Sequence, residues 1–382
     1  MKDKEMVTLW LNRISQTTFY LALFMELTIV ILDKSAYIIQ YEGLWFRFTF
    51  LLFGISLITV KHHPKEWLWL VIFAGIGVIS YKATGRNEIL RWVVFIWSCQ
   101  GKDMKKVFKY TFWYTTAGCV VLFLLSVLGI YGTVAQEAVY RAESELRYCF
   151  GMGHPNAFHC MMLAITWLGI YCYYEKLRWY SYALIVIGHV VVYMFTKSRT
   201  GLLMSVGSLF LTVILVYWKK IQGKKWPYLL GIAVIVGGVV LSVLMAKYNT
   251  TLPIFEKIDS YMTGRIYSLY DSDRDEGMLH TWRLWSEPRN NYFFDLGIVR
   301  MFYWFGIIPG TIYFLAQCRL LWCGYKKRDY MLLMMVTVIT IYTIFEAHYI
   351  SDYTGRNYIL FFLGMYLKEM VGVNEEKQTS VV

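Results

Sequence analysis

The chain has 382 residues, of which 57% are hydrophobic and 17% are charged, and its formal net charge is +12. This composition excludes an ordinary soluble protein, because no soluble core has room for so many long apolar segments. The positive charge does not indicate a nucleic-acid-binding protein, since the Lys and Arg residues stand in short clusters between apolar segments and form no single stripe.

Apolar runs of roughly 18 to 22 residues recur along the chain, which is the length a helix needs to cross about 30 Å of hydrocarbon. Continuous runs such as LFLLSVLGI lack the alternating polarity of barrel strands. We therefore predict an all-α, polytopic membrane protein, 1–382 forming a single membrane domain with about twelve transmembrane helices. The predicted spans are 15–33, 43–60, 66–81, 88–99, 107–131, 155–174, 178–195, 199–218, 226–246, 297–322, 329–347 and 355–371.

The fourth span, 88–99, is short, and a broken or interfacial helix is the alternative there. The charge pattern favours a crossing, because KHHPKE, GKDMKKVFK, YEKLR, WKKIQGKKW and GYKKRDY are then all cytoplasmic, as the positive-inside rule requires. Two external segments, 131–156 and 247–295, are longer than a helix connection needs, and long loops often carry function. The end of the chain, 372–382, is predicted to be a polar cytoplasmic tail.

The seven cysteines form no CxxC pair, and most of them fall within apolar spans, so we predict no metal site and no redox role. The first residues, MKDKEMVTLWLNR, lack the apolar region and the cleavage site of a signal peptide. We expect the first span itself to direct the chain to the membrane.

The first candidate site is FGMGHPNAFHC, where glycines and a proline interrupt the chain just before a long helix begins at the outer face of the membrane. His154 and Asn156 are predicted to cap this helix. Capping by itself explains the motif, and a role in shaping a pocket is the functional alternative.

The second candidate is the turn FTKSRTGLL, which holds Lys197 and Arg199 at the outer membrane surface. A short external turn has no topological need for two cations. An arginine next to a helix N-terminus is suited to binding an anionic diphosphate. Snorkelling of both side chains to lipid headgroups is the alternative.

The third and fourth candidates are the loop around Arg265 and His280 and the segment EAHYISDYTGRN, which contains Glu346 and His348. Aromatic residues beside charged residues suit a ligand that carries sugars, although the loop charges are also what a solvated loop would show. Ionisable groups at membrane depth are costly and often functional. Pairing of Glu346 with Arg356, simply to hold two helices together, is the alternative for that segment.

Three features together, GHPN opening a long span, SRTG some forty residues later and a large external loop with a TGR, resemble the O-antigen polymerase and O-antigen ligase superfamily. The resemblance is strongest to the Wzy-type polymerases of capsule and exopolysaccharide repeat units, and by motif it covers Gly151 to about Gly310. It implies a metal-independent, inverting glycosyltransferase of the broad GT-C class that needs no cofactor. It also implies that Arg199 and Arg265 engage the donor diphosphate.

The ligase branch of this superfamily carries a His-Asn pair eleven residues ahead of a glycine, and counting back from Gly306 gives Asp295. The sequence therefore departs from the ligase pattern and places a carboxylate there, which favours the polymerase. Asp295 is the predicted general base or acceptor-orienting residue, and His280, which rests on no family motif, is the second candidate for the base.

The resemblance implies a polymerase that transfers the growing glycan from undecaprenyl diphosphate to the non-reducing end of the next lipid-linked repeat. The alternatives are a ligase that moves finished glycan to another acceptor and a flippase for the lipid-linked sugar. The expected partners are the undecaprenyl-diphosphate-linked donor and acceptor, membrane lipid, a chain-length regulator and a flippase, with no nucleic acid. The expected location is the bacterial cytoplasmic membrane, with the active site facing outside.

Overall fold

The computed structural model describes residues 2–140, 143–270 and 277–373, and helices dominate it. The α-helices, in chain order, are α1 (Lys2–Lys34), α2 (Glu42–Ile58), α3 (Pro64–Thr84), α4 (Glu88–Ser98), α5 (Met104–Val127), α6 (Pro155–Tyr173), α7 (Trp179–Thr196), α8 (Arg199–Tyr217), α9 (Lys225–Tyr248), α10 (Pro253–Met262), α11 (Gly297–Phe305), α12 (Ile307–Lys327), α13 (Tyr330–Phe345), α14 (Tyr358–Met365) and α15 (Leu367–Met370). Short 3₁₀ helices cover Tyr174–Lys176, Asn249–Thr251, Tyr267–Leu269, Leu279–Thr281, Ala347–Tyr349 and Thr354–Arg356. The predicted tail lies outside the described residues from position 374 on.

Seven helices of the described chain are long and apolar enough to cross a membrane. These segments are Glu5–Lys34, Pro64–Thr84, Met104–Val127, Pro155–Lys176, Trp179–Thr196, Arg199–Tyr217 and Lys225–Thr251. They confirm an all-α class of polytopic membrane protein. The count of about twelve spans stays a prediction, because several of the other apolar segments form shorter helices.

The predicted span 297–322 is in fact two helices, α11 and α12, which meet at Gly306 with a φ of +102°. The break is stabilised from outside the helices. Ile307 N donates to the carbonyl of Arg283 at 2.8 Å, and Ile308 N donates to that of Leu284 at 3.1 Å. Carbonyl groups of the large loop thus accept hydrogen bonds from the first N–H groups of α12, which have no partners within the helix.

Two further predicted spans are also shorter as helices. The segment 355–371 contains α14 and α15, which are separated at Tyr366, and α4 has 11 residues, which is about 16 Å of helix.

The predicted loop 131–156 contains an antiparallel hairpin of β1 (Ala135–Tyr140) and β2 (Glu143–Tyr148), with Ala135 opposite Tyr148. This hairpin was not predicted from the sequence.

Contacts divide the chain into two compact units. The first unit contains the residues up to Ala22, Phe50–Gly101 and the residues from Gly223 on, and the second contains Leu23–Thr49 and Lys102–Gln222. The division falls within α1 and within α2. Each unit is described by itself.

In the first unit α9 packs against α12 and α13 through small residues. A Cβ at Gly231 would lie 2.8 Å from a methyl carbon of Leu333, and one at Gly238 would lie 3.1 Å from a methyl carbon of Ile344. Small residues at these positions let neighbouring backbones approach closely, which is how helices associate where lipid replaces water.

In the second unit α6 packs against α5, α7 and α8. Trp167 on α6 is fully buried, and its indole N–H donates to Ser208 Oγ on α8 at 2.9 Å. The hydrogen bond satisfies the one polar atom of a large buried aromatic side chain. This packing sets the positions of the helix ends that carry the GHPN and SRTG motifs.

Candidate functional site

In the first unit Arg265 holds two carboxylates that are far apart in the sequence. Its Nε lies 3.1 Å from Asp295 Oδ2, and its Nη2 lies 2.5 Å from Glu346 Oε1. Nη1 donates to the carbonyl of Phe345 at 2.8 Å. Three of the predicted site residues therefore meet in one cluster, which we call the Arg265 cluster (Arg265, Asp295 and Glu346).

Two buried polar residues, Asp259 and Asn249, hold the backbone that follows Arg265. Asp259 Oδ1 accepts hydrogen bonds from the backbone N–H groups of Ile266 and Tyr267 at 2.6 Å and 3.3 Å. Asn249 Nδ2 donates to the carbonyl of Ile266 at 2.8 Å. Because all three hydrogen bonds reach the two residues that follow Arg265, they fix the backbone from which its side chain projects.

A glycine brings the two carboxylates to the same arginine. A Cβ added at Gly297 would lie 2.8 Å from the carbonyl oxygen of Thr343 and 3.0 Å from that of Glu346. The start of α11 therefore lies directly against the end of α13. Since Asp295 precedes α11 and Glu346 follows α13, this close approach places both carboxylates within reach of Arg265.

The charges of the Arg265 cluster differ in their access to solvent. The side chains of Arg265 and Glu346 are each 11% exposed, whereas that of Asp295 is 45% exposed. Burial works against the charged form of Arg265, but the Glu346 and Asp295 carboxylates outweigh it and raise its pKa above the ordinary arginine value. A guanidinium has five N–H donors, and these contacts involve one N–H group on each of its three nitrogens.

A second group of charged residues lies in the same unit. Arg86 Nη1 is 3.4 Å from Glu88 Oε1 and 3.4 Å from Asp352 Oδ1, and Arg91 Nη1 donates to the carbonyl of Asp352 at 2.8 Å. The Arg86 guanidinium stacks on the Trp304 ring, 4.0 Å from its centroid. These contacts connect the α3–α4 turn to the segment that follows α13.

The remaining predicted residues of the first unit are His280 and His348. His280 is exposed on the 3₁₀ helix Leu279–Thr281, and its carbonyl accepts from Arg283 Nη1 at 2.9 Å. The ring of His348 packs edge-on against Tyr349 with 4.9 Å between centroids.

In the second unit His154 is the N-cap of α6, and its Nδ1 accepts from the backbone N–H of Asn156 at 3.1 Å. The capping prediction is thus confirmed for His154. It is wrong for Asn156, because the Asn156 side chain instead accepts a hydrogen bond from Arg147 Nη2 at 2.9 Å. Asn156 therefore connects α6 to the hairpin.

Arg147 on β2 was not singled out from the sequence. It is 6% exposed, and its Nε donates to the carbonyl of Thr196, the last residue of α7, at 2.8 Å. One arginine therefore connects the hairpin to the GHPN segment at Asn156 and to the end of α7 at Thr196, just before the SRTG turn. The positive-inside rule would have indicated it, because Arg147 is a cation in a predicted external segment.

The SRTG turn presents two cations. Lys197 has a φ of +55° and is the C-cap of α7, Ser198 is buried, and Arg199 is the first residue of α8. Both Lys197 and Arg199 are exposed, and neither has a partner in the part of the chain that the structure describes. An exposed guanidinium at a helix N-terminus favours anions twice, through its own charge and through the helix dipole.

A buried histidine, His159, leaves no room for a side chain at Gly201 of the SRTG turn. A Cβ at Gly201 would lie 2.5 Å from the ring of His159, which is completely buried. The His159 ring contacts Thr196 Oγ1 through Nδ1 and His189 Nδ1 through Nε2, each at 3.3 Å. Gly201 therefore allows α8 to pack directly on a polar network at the end of α7.

Within the described residues no group of three or more His, Cys, Asp and Glu side chains is arranged to hold a metal ion. Arg199 belongs to the second unit and Arg265 to the first, and each lies in a cationic segment of its own unit. No family model, no curated protein and no solved structure matches this chain.

Proposed function

We propose that the protein is a polymerase of lipid-linked oligosaccharide repeat units. In this proposal it transfers the growing glycan from undecaprenyl diphosphate to the non-reducing end of the next lipid-linked repeat, at the outer face of the cytoplasmic membrane. The observation that carries the proposal is the Arg265 cluster, where a charged arginine holds a half-exposed carboxylate and a buried one. It joins three residues that the resemblance and the local chemistry had indicated independently.

Asp295 is suited to accept a proton from the attacking sugar hydroxyl. Its carboxylate is half exposed and is oriented by Arg265, and a general base must lie within hydrogen-bond reach of the proton it removes. In the transfer the acceptor oxygen forms a bond to the anomeric carbon of the donor. The bond from that carbon to the diphosphate oxygen breaks, its electron pair leaves with the diphosphate, and the hydroxyl proton moves to Asp295.

Positive charge is needed where the diphosphate leaves, because negative charge grows on it in the transition state. Arg199 and Lys197 are exposed and without described partners, which supports a diphosphate-binding role for the SRTG turn. Arg265 contacts the protein through one N–H group on each of its three nitrogens, which supports a shared role in holding carboxylates and diphosphate. His154, Asn156, Glu346 and His348 would shape the pockets of the two units.

The test is to express Asp295→Asn, Arg265→Ala and Arg199→Ala as the sole copy in the native host and to confirm equal membrane levels. Loss of a general base costs about 100-fold to 10,000-fold in rate. We therefore expect long surface chains to disappear while single lipid-linked repeats accumulate at the outer face of the cytoplasmic membrane. Glu287→Gln and Arg289→Ala are matched controls, because these two residues pair with each other on the same loop.

The other outcomes identify the alternatives. Long lipid-linked chains that no longer reach another acceptor would indicate a ligase. Repeat units retained on the cytoplasmic side would indicate a flippase. Normal chain lengths in all three variants would reject the assigned residues.

A further inference from the structure

The first unit contains an apolar groove with a cation in its wall. Its volume is about 490 Å³, and α3, α4, α12, α14 and α15 line it. The lining includes Trp69, Phe73, Trp92, Leu315 and Leu363. A groove of this size is in the range of small-molecule sites, which run from about 300 to 1,000 Å³.

Arg319 is the charged side chain among the described residues that line this groove. It is exposed and has no hydrogen-bond or ion-pair partner in the described part of the chain. It lies on α12, roughly two turns before the helix ends at Lys327. A cation within a membrane is costly unless an anion or the interface compensates it.

The end of the groove nearest Arg319 is also the basic end of the surrounding helices. Trp97, in the last turn of α4, donates its indole N–H to the carbonyl of Glu66 in the first turn of α3, where Lys65 also lies. Lys327 at the end of α12 pairs with Glu369 of α15. By the positive-inside rule, this end faces the cytoplasmic leaflet.

We propose that the groove binds an acyl chain of an anionic phospholipid from this leaflet and that Arg319 binds the phosphate of its headgroup. The apolar wall matches the chain, and the planar guanidinium matches the phosphate oxygens in a bidentate contact. Basic pockets between membrane helices on the cytoplasmic side are suited to anionic headgroups. The proposal goes beyond the polymerase assignment and does not rest on it, because neither the groove nor Arg319 includes residues of the proposed reaction.

The test uses the purified full-length protein in detergent, titrated with phosphatidylglycerol or phosphatidylcholine. Retained lipid is measured by native mass spectrometry and the thermal midpoint by tryptophan fluorescence. We expect phosphatidylglycerol to be retained and to raise the midpoint, because a ligand that binds only the folded state stabilises it. Arg319→Gln is expected to weaken this binding roughly tenfold or more, whereas Arg319→Lys retains part of it.

Arg178→Gln is the matched control, because Arg178 is an exposed arginine before α7, in a segment predicted to be cytoplasmic, and belongs to the other unit. Ala316→Phe, which fills the groove without changing charge, is expected to reduce lipid retention as Arg319→Gln does. Equal binding of phosphatidylcholine, or unchanged phosphatidylglycerol binding in Arg319→Gln or in Ala316→Phe, would overturn the proposal. Arg319-dependent retention of a polyprenyl phosphate in preference to phosphatidylglycerol would also overturn it and would assign the groove to the lipid-linked substrate.

Discussion

Arg147 on the β-hairpin donates a hydrogen bond of 2.8 Å to the backbone carbonyl of Thr196 at the end of α7. The contact places a positive charge at a helix C-terminus, where the helix dipole favours it. The same side chain donates to Asn156 at the start of α6. The hairpin thereby connects the start of α6 to the end of α7, which the cationic SRTG turn follows.

We expect Arg147→Ala to loosen this turn, because it removes two hydrogen bonds from a buried charged donor. Hydrogen bonds to charged groups contribute about 1.5 to 3 kcal/mol each, so loss of the two should lower the free energy of unfolding by about 3 to 6 kcal/mol. Thermal unfolding in detergent measures this loss, and Arg178→Ala, an exposed arginine, is the control. An unchanged unfolding midpoint in Arg147→Ala would contradict the role of the contact.

Gly201→Ala is expected to destabilise the second unit, because its Cβ would lie 2.5 Å from the buried His159 ring. Overpacking of this kind costs about 1 to 3 kcal/mol. Gly207→Ala on the same helix meets nothing within 4 Å, so it should leave stability unchanged or raise it slightly. If the two variants unfold at the same temperature, the close packing of α8 on His159 is wrong.

Gly297→Ala tests the geometry of the Arg265 cluster without removing any charge. The new Cβ would lie 2.8 Å from Thr343 O, which should push α11 away from α13 and Asp295 away from Arg265. We expect polysaccharide chains to shorten at normal membrane levels of the protein. Gly237→Ala on α9 has open space around it and is the control. Wild-type chains from Gly297→Ala would show that the approach of α11 to α13 is not needed for activity.

Stability and activity are expected to separate at Arg265 and Glu346. Removing one partner of a buried ion pair leaves an uncompensated charge, so Arg265→Met should lower the free energy of unfolding by about 3 kcal/mol. Arg265→Met combined with Glu346→Gln should recover most of that stability while remaining inactive. The thermal midpoint and the polysaccharide pattern of the same samples measure the two effects. An active double variant would exclude Arg265 from the proposed reaction.

Much of the architecture follows from local patterns in the sequence. The ends of α6, α7 and α8 fall within two residues of the predicted spans, because each helix is a continuous apolar run between polar turns. Where a span is broken, the cause is tertiary. α11 and α12 are separate at Gly306 because the carbonyls of Arg283 and Leu284 accept hydrogen bonds from the first N–H groups of α12. A hydropathy profile contains no information about that contact.

Some residues of the candidate site were likewise predictable from local sequence patterns, and others were not. The exposed cations Lys197 and Arg199 were predicted because a short external turn has no topological use for them. Asp259, Asn249 and Gly297 were not predicted, because their role is to hold a backbone that only the folded chain brings into place. No spacing in the sequence distinguishes them from ordinary loop residues.

The sequence by itself determined that the chain is a helical membrane protein and which segments carry unusual charge, because hydrophobic length and charge position are local properties. Only the tertiary structure decided that Arg265 meets Asp295 and Glu346 and that Arg147 reaches Thr196 and Asn156. The physical reason is that an ion pair between distant positions depends on helix packing, and close approach at single glycines sets that packing.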